Sequence, residues 1–386
     1  MKEFKKILSY AKSLVKKVIV GYQIVPNLIY SRIPPNSSWC LGGVKNVSDD
    51  LVTDILSFFQ NVPPFYSEET PAPLKIAGAW GADLRSRRKA QLAAIDAKNH
   101  QAYALLLSHM FRNELVSGMW GISQFEDAQM SGPLPGEFIT WVDAFCYLTG
   151  RPIEDLAYND FGARWGVQTS KGIVTVKDVT QGANSQNLVN LLETVGSISR
   201  KPVLVEIGSG YGGEIEKVAR WFNKPARYIL VDIPLNLTSA YAYIKSGFSD
   251  AKISLISDRA VLEKELQTTC TGNEFIFIPT ILIESLRNVE IDILYNHGSF
   301  SEMNYATIKY YFDVLLRQGQ VGIVFEINSN QKALNCSDHT EVPSSEFPFP
   351  DDYRLLMRNP VWLTSRGYRY LQSVWVKQGV VGIRAR

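Results

Sequence analysis

A chain of 386 residues with 46% hydrophobic and 20% charged side chains is long and apolar enough to bury a sizeable core, which sets aside disorder and predicts two domains or one with a large extension. Forty Lys and Arg against 38 Asp and Glu leave a net charge of +2, so no polyanion signature is present and nucleic acid is not an expected partner. Cys40, Cys146, Cys270 and Cys336, and His100, His109, His297 and His339, are scattered without C-x-x-C or H-E-x-x-H spacing, which speaks against a disulfide framework or a local metal site and favours the cytoplasm.

The first turns crowd Lys2, Lys5, Lys6, Lys12, Lys16 and Lys17 against Glu3 alone, while Phe4, Ile7, Leu8, Ala11, Leu14, Val15 and Val18 recur at helical spacing. This predicts an amphipathic helix, docked on its own protein or a partner subunit, or lying as a peripheral anchor on an anionic membrane. VIVGYQIV is too short and polar for a signal-peptide core, and no apolar run is long enough to span a bilayer. Residues 1–150 read as mainly helical, clearest in LVTDILSFFQ, RRKAQLAAIDAKNHQAYALLLSHMFRNEL and EFITWVDAFCYLTG, with Pro- and Gly-marked loops between. No catalytic constellation lies there; the expected role is to cover or shape a site carried elsewhere.

Residues 151–386 form the expected second domain. YNDFGARWGVQTSKGIVTVKDV predicts a loop and a short strand or hairpin, and SQNLVNLLETVG a helix. Strands at VLVEIG, RYILVDI, ISLIS, EFIFIP, IDILYN and VGIVFEI then alternate with helices at EIEKVARWF, LTSAYAYIKSGF and NYATIKYYFDVLLRQ, the signature of a parallel sheet covered on both faces. VWLTSRGYRYLQSVWVKQG reads as two finishing strands around a glycine turn.

The strand-turn-helix junction VLVEIGSGYGG carries the chemistry, since glycines let a ligand approach the backbone and a helix N-terminus favours anionic or polar groups. Gly208, Gly210 and Gly213 fit the G-x-G-x-x-G of a dinucleotide fold, whereas Glu206, Gly208, Gly210 and Gly212 fit the acidic-x-G-x-G-x-G of S-adenosylmethionine binders. Asp232, about twenty residues on, sits where either fold places a ribose-binding acid. Three features favour the methyl donor. Glu206 would repel a pyrophosphate; the junction follows a long stretch of other structure; and the Y-x-x-x-K pairs, Tyr241 with Lys245 and Tyr305 with Lys309, stand in the wrong context for hydride transfer.

VEIGSGYGG, LVDIPLNLTSAYAYI, FIFIP and DILYNHGSFSEMN together resemble the sugar O-methyltransferase family of bacterial surface-polysaccharide gene clusters, over residues 155–330. EIGSGYGG occurs in many methyltransferases; the N-H-x-S-F-x-E-M run is the more specific part. The resemblance implies an α/β, class I methyltransferase Rossmann-like sheet, which ends in an antiparallel hairpin, S-adenosylmethionine as donor, and a sugar hydroxyl in a polysaccharide as acceptor. The N-terminal region falls outside it.

On this reading Glu206, Gly208, Ser209, Gly210, Tyr211, Gly212, Asp232, Ile233 and Asn296 are the expected donor-binding residues. Ligands collect at the carboxyl ends of such strands, where IDILYNHGSFSEM brings His297, the expected general base, and Glu302, its orienter or an alternative base. A structural His297 and a Glu302 that caps the helix starting near Asn304 are the plainer alternatives. No Asp/Asp pair follows the fourth strand, so metal-independent transfer is expected, although Glu326 and Asp338 could converge. Asp258 or Pro279 would touch adenine, depending on which of ISLIS and FIFIP is the third strand. NSNQKALNCSDHTEVPSSEFPFPDDY is a lid or a surface excursion, and Trp362 and Tyr368 are sugar-stacking surfaces or core. The alternatives to a sugar O-methyltransferase are transfer to a small non-sugar hydroxyl, an idle cofactor-fold scaffold subunit, or an NAD(P)-dependent sugar enzyme.

Overall fold

The computed structural model describes residues 38–64, 70–75, 83–113, 115–116, 136–195, 201–268, 271–332, 334–336, 339–340, 342–361 and 369–379. The basic amphipathic segment at the N-terminus lies outside these residues, as do Asp338, Trp362 and Tyr368. The fold is α/β. The helices are α1 (Asp49–Asn61), α2 (Asp83–Arg87), α3 (Lys89–Asp96), α4 (His100–Ser108), α5 (Gly136–Thr149), α6 (Val176–Val195), α7 (Gly213–Trp221), α8 (Pro234–Gly247), α9 (Arg259–Gln267), α10 (Ser299–Glu302) and α11 (Tyr305–Phe312). The strands are β1 (Trp39–Leu41), β2 (Trp165–Gln168), β3 (Ile173–Val174), β4 (Val203–Ile207), β5 (Arg227–Asp232), β6 (Lys252–Leu255), β7 (Glu274–Pro279), β8 (Glu290–His297), β9 (Gln320–Ser329), β10 (Leu334–Cys336), β11 (His339–Thr340), β12 (Tyr353–Pro360) and β13 (Tyr370–Lys377). Among the described residues no helix is long and apolar enough to cross a membrane.

The main sheet has eight strands in the order β12-β13-β9-β8-β4-β5-β7-β6. β4 and β7 are buried along their whole length, which is why VLVEI and EFIFIP read as near-continuous apolar runs rather than alternating ones. From β6 to β9 all pairings are parallel. The chain leaves β4 toward β5 on one side and returns to β8 on the other. At such a reversal, open α/β sheets place their ligand crevice, here at the carboxyl ends of β4 and β8. The expected antiparallel ending is present: β13 pairs with both β9 and β12.

One open choice is resolved and two expectations need correction. FIFIP, not ISLIS, lies beside the second strand: β7 pairs with β5 and β6 takes the edge. The first finishing strand is Tyr353–Pro360, upstream of VWLTS, so the polar segment after β9 ends in sheet. The helix expected across residues 87–115 breaks at Lys98, whose φ of 47° is left-handed, and restarts where the Asn99 side chain accepts the Ala102 N–H at 2.9 Å.

Strand alternation sends Leu204, Tyr228, Leu230, Ile293 and Tyr295 into one hydrophobic cluster and Val205, Ile229, Val231 and Leu294 into another on the opposite face. The first cluster also takes Leu51, Ile55 and Phe58 of α1, Tyr103 and Leu107 of α4, and Phe145 of α5. β1 pairs with β2. The helical region before residue 150 therefore shares its core with one face of the sheet.

Candidate functional site

Glu206, one residue before the end of β4, and Asp232 and His297, which end β5 and β8, lie on the face that the N-terminal helices cover, because each keeps the alternation of the buried residues before it. Between β4 and α7 the chain turns through Gly208, Gly210 and Gly212 with φ of 76°, 57° and 80°. At Gly208 an added Cβ would lie 2.2 Å from Ser299 Oγ, so the turn is pressed against the start of α10. At Gly210 it would meet nothing within 4 Å. That position faces open space.

Three carboxyls surround the turn, each in a different state. Glu206 is 3% exposed and its Oε2 has no hydrogen-bond partner; burial, then the charges of Glu214 and Asp232, push its carboxyl well above the usual range. Asp232 accepts from the Gly210 N–H at 2.8 Å, the Ile233 N–H at 2.7 Å and the Asn236 amide at 3.4 Å. Burial nevertheless raises it to about 6. A carboxylate has about four acceptor positions, so Asp232 retains room for a further donor such as a ribose hydroxyl.

Glu214, in the first turn of α7, is the ionised one. Its Oε1 lies 2.9 Å from His297 Nδ1 and accepts the Asn184 amide at 3.0 Å, and its Oε2 accepts the Tyr295 hydroxyl at 2.7 Å. Burial alone would push Glu214 up, but the adjacent His297 charge and these hydrogen bonds outweigh it and hold the carboxyl at about 2. An ionised carboxylate is acceptor-only, so His297 Nδ1 carries a hydrogen whether the ring holds one proton or two, and Nε2 is the nitrogen left to face a ligand. The His297 side chain keeps 20% exposure, and its ring packs edge-on to Tyr370 at 6.3 Å.

The remaining expected residues are placed as follows. Ile233 follows Asp232 and caps the start of α8. Ser209 is buried with its hydroxyl unpaired. The Tyr211 side chain turns away into an aromatic cluster with Phe111 and Tyr243 and donates to Gln181, so it can offer a ligand only its backbone. Asn296 is fully buried, and its amide is committed: it donates to Ile207 O at 2.7 Å and Ser299 Oγ at 2.5 Å, and accepts from Phe300 N–H at 3.2 Å and Asn328 at 2.9 Å. It pins β4 to β8. Glu302 closes α10, and the helix after it is capped by Asn304 instead, whose side chain accepts the Thr307 N–H at 2.9 Å. Glu302 was expected as orienter of His297 or as an alternative base; the carboxylate seated on His297 Nδ1 is that of Glu214. Glu326 is fully buried, held by Asn328 at 3.0 Å, and raised by burial to about 7. Of the adenine candidates, Pro279 stands opposite Asp232 in the sheet, whereas Asp258 caps α9. Tyr241 and Lys245 both bond Asp54 of α1, at 2.6 and 2.5 Å. Among the described residues no three His, Cys, Asp or Glu side chains are gathered as a metal site.

Glu214, Asn184 and Tyr295 were not foreseen from the sequence. The available signal was an acid in the first turn of the helix that leaves the glycine loop.

The unpaired Glu206 Oε2 and Ser209 Oγ, the remaining acceptor capacity of Asp232 and the open space at Gly210 fit a polar ligand that hydrogen-bonds to buried carboxyl and hydroxyl groups.

No family model matches the chain, and no curated protein matches it. Among solved structures it is similar to magnesium protoporphyrin IX methyltransferase from Synechocystis PCC 6803 with bound S-adenosylhomocysteine, at 12% identity over 53% of this chain and 89% of that one, with a TM-score of 0.34. It is also similar to the N-methyltransferase NodS from Bradyrhizobium japonicum WM9, at 14% identity over 50% and 86%, TM-score 0.33. The small RNA methyltransferase HEN1 is matched at 15% identity over 50% of this chain and 25% of that one, TM-score 0.33. The chain thus spans a quarter of HEN1, and 56% of the pyocyanin biosynthetic protein PhzM. These are distant likenesses, and what each of those proteins methylates is a property of that protein.

Proposed function

We propose that the chain is an S-adenosylmethionine-dependent methyltransferase acting on a hydroxyl group. The observation that carries the reading is the His297–Glu214 pair, 2.9 Å apart, at the strand ends beside a glycine turn with unpaired buried polar atoms.

Glu206 and Asp232 would hold the donor's ammonium and ribose groups, with the Gly208–Gly212 turn giving close approach to the backbone. S-adenosylmethionine, when bound, supplies an electrophilic methyl carbon and leaves as a neutral thioether. The work of this chain lies on the acceptor side. A hydroxyl is a weak nucleophile, and His297 Nε2 takes its proton as the new carbon–oxygen bond forms. The proton stays on the imidazole, and the positive charge created there faces an already ionised Glu214. The Asn184 and Tyr295 hydrogen bonds fix that carboxylate, so the ring is held in one tautomer and orientation.

The narrower reading, a sugar hydroxyl of a bacterial polysaccharide, is supported by the resemblance carried by Asn296, His297, Ser299, Phe300, Glu302 and Met303. The test has two stages. Calorimetry is expected to show S-adenosylmethionine binding and no tight NADH binding; the reverse pattern would overturn the donor. A labelled-methyl screen over polysaccharide fragments and small hydroxyl compounds then reads the acceptor, and label on small compounds alone removes the sugar.

A further inference from the structure

Resting on that reading, we propose that Arg88, contributed by the N-terminal helical region, is a positioning residue of the donor site, acting through the amide of Asn236 on the carboxylate of Asp232. Arg88 is 1% exposed and precedes α3. Its Nη2 donates to Asn236 Oδ1 at 2.7 Å, and Asn236 Nδ2 faces Asp232 Oδ1 at 3.4 Å. A guanidinium has donors only and a carboxylate acceptors only. The amide between them therefore has one acceptable orientation. Rotating it would set its NH2 against the guanidinium and its oxygen against the carboxylate.

The relay is held from outside as well. Gln91 donates to Leu235 O at 3.3 Å and to the Tyr103 hydroxyl at 2.9 Å, and that hydroxyl lies 3.2 Å from Thr238 Oγ1. Thus α3 and α4 grip the first turns of α8, the helix that begins directly after Asp232. Electrostatics points the same way. Burial raises the Asp232 carboxyl, and the Arg88 charge opposes that rise, while Glu206 on β4 is the neighbouring acid. With Arg88 in place, more of Asp232 is ionised at neutral pH and able to accept from a ribose hydroxyl.

The experiment is calorimetric titration of S-adenosylmethionine from pH 6 to 8 into the full-length chain and the variants Arg88→Met, Arg88→Lys, Asn236→Ala, Asp232→Asn and Arg88→Met with Asp232→Asn, each first shown to be folded by thermal unfolding. Arg88→Met is expected to weaken donor binding roughly tenfold at pH 7, and to move upward the pH below which affinity falls. The loss falls on donor KM rather than kcat, Arg88→Lys recovers part of it, and Arg88→Met costs nothing more once Asp232 is Asn. Should Arg88→Met fail to fold, Asn236→Ala, which leaves the guanidinium in place, is expected to give the same loss. A folded Arg88→Met or Asn236→Ala that binds donor like the wild type overturns the proposal, as does an undiminished Arg88→Met effect in the Asp232→Asn background. Absence of donor binding by the wild type instead overturns the methyl-transfer reading, and the relay with it.

Discussion

Gly208 and Gly210 both hold left-handed backbone, yet substitution is expected to harm them differently. An alanine at Gly208 adds a collision with the Ser299 side chain to the backbone strain, so Gly208→Ala should cost ~2 kcal/mol or more of stability. Gly210→Ala meets no neighbour and should cost only about 1 kcal/mol, but its methyl enters the space assigned to the donor. Chemical denaturation and calorimetry separate the two, and equal stability losses would contradict the geometry. His297→Ala is expected to leave donor affinity within a few-fold and lower turnover roughly 10²-fold or more. Glu214→Gln keeps the volume but removes the ionised acceptor, and turnover should fall ~10-fold or more, with the fold intact by circular dichroism. Unchanged turnover in either variant would take the pair out of the mechanism. The turn and Asp232 were legible in the sequence because their spacing is local. Glu214 was not, since EIEKVARWF looks like any amphipathic helix and only the sheet brings residue 214 to residue 297.

At the scale of elements, the helical region is fastened to α8 by particular side chains. Asp54 of α1 receives both the Tyr241 hydroxyl and the Lys245 ammonium, which turns a Y-x-x-x-K spacing into a docking contact. Tyr241→Phe should therefore lower stability by about 1 kcal/mol and leave turnover unchanged, as read by thermal melts and methyl-transfer rates; abolished activity would revive a hydride-transfer reading. Strand existence was readable from apolar runs, but strand order was not. ISLIS and FIFIP have the same pattern, and the wholly buried FIFIP takes the inner place while half-buried KISL forms the edge. The break at Lys98 was likewise hidden, because the helical period continues on both sides of it.

Across the whole molecule, buried acids set the response to pH. The folded state holds protons on Asp232 and Glu326 up to about 6 and about 7, against ordinary values of 3.8 and 4.5. A raised acid favours the fold below its ordinary value, and that contribution is lost as pH rises through the folded value. Glu214 has the opposite sign: held at about 2, it stabilises above its ordinary range and stops doing so as pH falls toward 2. The ligand-free chain should thus lose stability between about pH 4 and pH 7, and Glu326→Gln should flatten that decline when melting temperature is followed over this range. An identical slope in the variant would exclude Glu326 as its source.

The sheet order also has a consequence for synthesis. β13 lies between β9 and β12, yet both of those leave the ribosome before it. Until the later strand is translated, the outer edge of β9 is open and β12 is the nearest segment able to pair with it wrongly. Correct closure requires β12 to wait for its neighbour, so a chain cut just before residue 370 should leave β12 and the β9 edge free to pair with each other or with other chains.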